Sequence, residues 1–183
     1  MDQKKLFIGI PVDDFIIKKI FKKLYNLNLP WEKIKIIKKE NIHITLKFLG
    51  DTPLEKIPII INSLEEIPKN FNNFVLKLEK TSIFNKNNPR TLILKFKENK
   101  ELIKLYNKIE EILFENGISN KEQRKFKPHI TIARIRKKSK FVEFKDYLNW
   151  KIEGNSEVFY LELIESELTK TGPEYTVLQT FDL

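Results

Sequence analysis

Two histidines stand in this chain of 183 residues, and both open the same tetrapeptide pattern. His43-Ile44-Thr45-Leu46 and His129-Ile130-Thr131-Ile132 each read His-apolar-Thr-apolar. In an extended strand, residues i and i+2 share a face. His43 therefore projects with Thr45, and His129 with Thr131, while the apolar residues point to the core. Two such strands facing across a groove bring two titratable rings and two hydroxyls together. That set suits in-line attack on phosphorus. One neutral imidazole takes a proton from the attacking oxygen, and the other, as imidazolium, gives one to the departing oxygen. An ordinary imidazole pKa near 6.5 allows both forms near neutrality, and the threonine hydroxyls are donors for non-bridging oxygens. The scheme needs no metal, and no carboxylate cluster flanks either motif to hold one. The competing reading makes both histidines strand residues bonded to nearby backbone, with threonines chosen for β propensity. Repetition of the pattern at both histidines weighs against it.

The copies lie 86 residues apart, close to half the chain. That spacing suggests an internal duplication in which each lobe supplies one His-x-Thr strand. Pro128 fixes its own backbone and restricts Lys127, so the entry to the second motif is stiff. Around the motifs, residues 5–12 read as a strand, and Asp13 or Asp14 caps a helix to about Leu27. Lys33–Ile37 and Asn41–Leu49 read as strands, the latter ended by Gly50. Thr52-Pro53 opens a helix to about Ile67, with a kink expected at Pro58. Phe74–Leu78 continuing toward Phe84, and Thr91–Phe96, are strands joined by a polar turn. Glu98–Asn116 is a helix stopped by Gly117. Lys127–Ile135 is a strand, and Ser139 caps a short helix to about Leu148. Lys151–Ile164 and Thr176–Phe181 supply further strands, with a Gly-Pro turn at 172–173. Strands and helices mix without strict alternation. The expected class is α+β: a bilobal, pseudo-symmetric duplication with two mostly antiparallel sheets and no linker dividing the chain.

Composition narrows the chemistry. There is no cysteine, which excludes disulfides, thiolate zinc sites and a cysteine nucleophile. Apolar residues at 41%, with fourteen Phe and two Trp, argue for an ordered core rather than disorder. The net charge of +9 is unevenly spread: residues 1–50 carry +6, residues 121–151 carry +8, and the remainder carries −5. Each basic stretch contains one histidine, so a positive field surrounds both, which favours a phosphate ester or polyanion. Solvated lysine faces are the plainer explanation for any single lysine. The apolar part of MDQKKLFIGIPVDD is too short for a signal segment, and no run reaches the roughly 20 apolar residues of a membrane helix. A cytoplasmic location is the expectation.

The residues around the histidines resemble a known family. His43-Ile-Thr-Leu-Lys-Phe-Leu-Gly50 and Phe126-Lys-Pro-His-Ile-Thr-Ile-Ala-Arg134 are similar to the two signature motifs of the 2H phosphoesterase superfamily. More narrowly, they resemble those of the RNA 2′,3′-cyclic phosphodiesterases, also called 2′-5′ RNA ligases. Leu6–Ile10 resembles the family's first strand, and Ser166–Tyr175 its closing segment. The resemblance implies one bilobal domain over residues 1–183, with the two His-x-Thr strands lining a central cleft and helices outside. It implies metal-independent opening of an RNA terminal 2′,3′-cyclic phosphate to a 2′-phosphomonoester, with no cofactor and no obligate protein partner. The implied substrate is RNA ending in such a phosphate, tRNA halves included. It makes His43 the proton donor to the leaving 3′ oxygen and His129 the base that activates water. Thr45 and Thr131 stand beside them as catalytic donors on the strand geometry above, and the resemblance makes Arg134 a phosphate ligand.

Phe48 stands at the matching offset from His43, as a platform for a base or as an ordinary core phenylalanine. Tyr175 is a further cleft candidate, or an ordinary tyrosine at a turn. Strict alternation puts Phe48 and Arg134 on the face opposite their histidines, so both reach the cleft only if the strand bends. Three alternatives share the sequence: 2′-5′ ligation as the reverse reaction, a cyclic phosphodiesterase of small nucleotides, and a non-catalytic RNA-binding module. The last has no need of paired histidines and threonines.

Overall fold

A computed structural model describes residues 2–85, 87–170 and 172–183. Among these residues, nine strands form two antiparallel sheets. The first has the order β3-β1-β8-β9, from β1 (Gln3–Pro11), β3 (His43–Pro53), β8 (Tyr160–Thr169) and β9 (Gly172–Asp182). The second has the order β2-β6-β5-β4-β7, from β2 (Ile34–Ile36), β4 (Phe74–Phe84), β5 (Thr91–Phe96), β6 (His129–Ile135) and β7 (Asn155–Val158). The α+β class and the paired antiparallel sheets expected from the sequence are therefore present.

The duplication is visible in connectivity. β1 leads through α1 (Asp14–Leu24) to β3, and β5 leads through α3 (Lys100–Glu115) to β6. In both, the strand after the helix returns antiparallel to the strand before it and opens with histidine. The lobes are nevertheless interlaced. β2 belongs to the first half of the chain but pairs with β6, and the C-terminal hairpin β8–β9 completes the first sheet.

Local chemistry explains the helices. Asp13 caps α1, its carboxylate accepting from the Ile16 amide at 3.1 Å, and Asn99 does the same for Leu102 at 2.9 Å in α3. Leu102, Leu105, Ile109, Ile112 and Leu113 recur at helical spacing and are all buried. One continuous apolar core joins both sheets with α1, α3 and α2 (Ile57–Leu64).

Three expectations are corrected. Thr52-Pro53 does not open a helix; it ends β3, which passes through Gly50 in the left-handed region at φ 72°. Pro58 makes no kink, because it lies in the first turn of α2, where backbone N–H groups have no helical acceptor anyway. Ser139 is not a cap: a short 3-10 turn, Phe141–Phe144, follows Lys140, whose amide donates to the Glu143 carboxylate at 2.6 Å. Helix α4 (Lys145–Asn149) then begins at Lys145. Among the described residues no helix is long and apolar enough to cross a membrane.

Candidate active site

The two histidine strands meet where the sheets adjoin, β3 packing on β6. Their rings are held in the same way. The His43 Nδ1 donates to the Asn41 carbonyl at 2.8 Å, and the His129 Nδ1 donates to the Lys127 carbonyl at 2.8 Å. A carbonyl only accepts, so in each neutral ring the proton sits on Nδ1 and Nε2 keeps its lone pair. The backbone two residues upstream thus sets the tautomer in both motifs. The His43 Nε2 accepts from the Thr45 hydroxyl at 3.0 Å, which is the i, i+2 partnership expected of the strand.

Both rings favour the neutral form. Burial pushes the His43 pKa down to about 4, against a raising contribution from its Asn41 bond, and the nearby His129 lowers it further. Burial also lowers the His129 pKa, with Lys95 adding to the fall.

Strict alternation fails in both strands at the same place. In β3, Ile8 pairs with Lys47 and Gly9 with Thr45, so Leu46 is an extra residue. In β6, Leu92 pairs with Ala133 and Ile93 with Thr131, so Ile132 is extra. Each is a β-bulge three residues after its histidine. Leu46 and Lys47 are consecutively buried, as are Ile132 and Ala133. The bulge turns the next residue, Phe48 or Arg134, back to the histidine face. Phe48 is 73% exposed and is not a core residue. Phe48, Arg134 and Tyr175 line one cleft of about 760 Å³ between the sheets, together with Lys35 and Lys38.

Several residues that hold the site were missed by sequence reasoning. Phe7 stacks on the His43 ring at 4.6 Å, beside Tyr175, the cleft candidate named from the sequence, which meets the same ring edge-on at 5.3 Å. Phe84 meets His129 edge-on at 4.9 Å. The Asn41 side chain donates to the Pro173 carbonyl at 2.8 Å, tying the His43 anchor to the C-terminal hairpin. No local signal marked Phe84 or Asn41, since each gains its role only through pairing across the fold. Gly9 leaves room for the imidazole: a Cβ there would lie 3.3 Å from His43 Cδ2 and 3.3 Å from Phe7 Cε2. We expect Gly9→Ala to lower kcat several-fold by displacing the ring a few tenths of an ångström. The Tm should hold or rise, since alanine is less costly than glycine within a strand; steady-state kinetics with thermal melts reads both.

Comparison with known proteins places this arrangement. Residues 15–93 match the LigT-like phosphoesterase family. An RNA 2′,3′-cyclic phosphodiesterase of Methanocaldococcus jannaschii is 31% identical over 182 residues, covering 96% of this chain and 98% of its own. One from Archaeoglobus fulgidus is 33% identical over 184 residues, covering 97% and 99%. Among solved structures, TT0787 of Thermus thermophilus superposes with a TM-score of 0.85 at 24% identity, covering 98% and 97% of the two chains. Escherichia coli LigT complexed with 3′-AMP superposes with a TM-score of 0.80 at 23% identity, covering 100% and 99%. With relatives above 30% identity spanning nearly its whole length and a fold that repeats theirs, the chain belongs to the LigT-like phosphoesterases of the 2H superfamily.

Proposed function

We propose that this protein opens the terminal 2′,3′-cyclic phosphate of RNA by hydrolysis and leaves a 2′-phosphomonoester. The observation that carries this reading is the matched pair of imidazoles. Each is fixed by its own backbone carbonyl, and each sits on a bulged strand from a different sheet. The relatives named RNA 2′,3′-cyclic phosphodiesterase support the choice of substrate. Residues 1–183 act as one bilobal unit, a reading supported by the continuous core.

In this mechanism His129 Nε2 takes a proton from water as the water oxygen bonds to phosphorus. The bond from phosphorus to the 3′ oxygen breaks, and His43 Nε2 gives that oxygen a proton. Solvent then resets both rings. Arg134 and the hydroxyls of Thr45 and Thr131 hold the non-bridging oxygens, whose charge grows in the transition state. Phe48 and Tyr175 give the terminal nucleoside an aromatic wall. The ligand-free rings are both neutral at pH 7, so the proton on His43 must be loaded as the anionic phosphate arrives and offsets the burial that disfavours the charged ring.

That requirement fixes the sign of the pH dependence. The base must be neutral, so activity rises with pH through one imidazole titration; the acid must be protonated, so it falls through the other. Both rings titrate below the ordinary value of 6.5 in the free protein, His43 at about 4. The profile of kcat/KM should be a bell with its maximum on the acid side of 6.5, and the kcat profile should lie at higher pH because bound phosphate raises both rings. A flat profile, or a kcat/KM maximum above pH 8, contradicts the two-imidazole scheme.

The direct test incubates the protein, with EDTA present, with a short RNA ending in a 2′,3′-cyclic phosphate. A 2′-phosphate terminus is the expected product. A 3′-phosphate terminus, or activity that requires a divalent ion, overturns the reading. A 2′-5′ linked product in the presence of a 5′-hydroxyl RNA would show the same site running in reverse.

A further inference from the structure

The line of side chains that contains His129 continues beyond β6. Register places Lys95 of β5 opposite His129, and Lys80 of β4 opposite Lys95. Directly paired residues project to one face, so an imidazole and two ammonium groups form a row across three strands. The neighbouring row is Thr131, Ile93 and Ser82. Beyond β4 lies only the short β7 among the described residues. β7 pairs with β4 over Phe74–Lys77, so among the described residues no strand pairs with the outer edge of Lys80–Phe84. The Phe141–Phe144 turn and α4 stand beside that edge instead, and a cavity of about 690 Å³ opens between them.

The lining of this cavity combines lysines with hydrocarbon from both the sheet edge and the facing turn and helix. Lys80, Lys95 and Lys145 contribute ammonium groups, and Phe141, Val142 and Leu148 contribute hydrocarbon. Val142 is 67% exposed. Lys80 pairs with the exposed Glu79 at 3.0 Å, and no ion pair involves Lys95 or Lys145 among the described residues. Along β6, Arg134 lies five residues from His129, roughly 15 Å at strand spacing. Lys95, paired with His129 across the strands, lines this cavity, while Arg134, farther along β6, lines the cleft described above.

We propose that this cavity is a second nucleotide subsite, which takes the phosphodiester and base immediately 5′ of the terminal cyclic phosphate. The lysine row faces the backbone phosphate, and Phe141 and Val142 cover the base. The inference rests on the proposed function and extends it: the protein distinguishes an RNA end from a free cyclic mononucleotide, which cannot fill both positions.

The test compares adenosine 2′,3′-cyclic phosphate with the dinucleotide ApA bearing the same terminus, on the wild type and on a Lys80→Gln/Lys145→Gln variant. Lys95 is left intact because it neighbours His129. The wild type should prefer the dinucleotide in kcat/KM by about tenfold or more. The variant should lose most of that preference and the accompanying salt dependence, while opening the mononucleotide as before. A wild type that treats both substrates alike overturns the subsite, as does a variant that keeps the preference or that slows both substrates equally. A wild type that opens neither overturns the proposed function itself.

Discussion

Replacing His129 or His43 by alanine should lower kcat for cyclic phosphate opening by roughly 10²–10⁴-fold, the ordinary contribution of a positioned acid or base. Neither ring is a keystone of the core, so circular dichroism and the melting transition should show a folded protein in both variants. The two losses separate when the leaving group changes. An aryl phosphodiester that expels nitrophenolate needs no proton on the departing oxygen, whereas the attacking water still needs a base. His43→Ala should regain much of the wild-type rate on such a substrate, and His129→Ala should not. Rescue of His129→Ala instead would exchange the two roles, and substantial cyclic phosphate opening by either variant would remove the acid–base mechanism altogether.

Lys47→Ala should destabilise the fold by about 3–5 kcal/mol, lowering Tm by roughly 10 °C. Lys47 occupies the position after the extra residue of the β3 bulge and is only 9% exposed. Its ammonium group donates to Glu110 of α3 at 2.8 Å and to the Asn120 carbonyl at 2.7 Å. The same Glu110 oxygen accepts from the Glu122 amide at 2.8 Å. Removing Lys47 strands a buried carboxylate and loosens the segment that leads into His129. The other oxygen of Glu110 is buried with no hydrogen-bond partner among the described residues, so the pair is imperfectly satisfied. The double variant Lys47→Met/Glu110→Leu should therefore recover most of the lost stability, because no orphaned charge remains. A Lys47→Ala variant within 1 kcal/mol of wild type in urea would show that this buried pair does not hold the bulge.

The histidine pair was legible because its signal is local: two residue types at a spacing that strand geometry turns into one face. The classes of most elements were legible for the same reason, as in α3, where five apolar residues recur at helical spacing. The bulges were not, since an extra residue exists only relative to a partner strand. Simple alternation consequently aimed Phe48 and Arg134 away from the cleft between the sheets that they line with Tyr175. Thr52-Pro53 and Ser139 show the opposite failure, in which good capping chemistry is overruled by sheet register and by a neighbouring carboxylate. Lys47, one lysine among many, carries no local mark of burial. Nor could sequence reading assign Phe84 to His129 or Phe7 to His43, since these contacts depend on how strands are ordered.

The interlacing of the lobes has a consequence for biosynthesis. β3 and its histidine leave the ribosome early, but the Tyr175 ring and the Pro173 carbonyl that brace them belong to β9, some 130 residues later. While the tunnel still shelters that hairpin, the emerging polypeptide has one edge of its first sheet unbuilt and the His43 anchor unfastened. The bracing of the His43 ring therefore waits for β9, and a growing chain whose hairpin is still sheltered lacks the Tyr175 and Pro173 contacts that hold it.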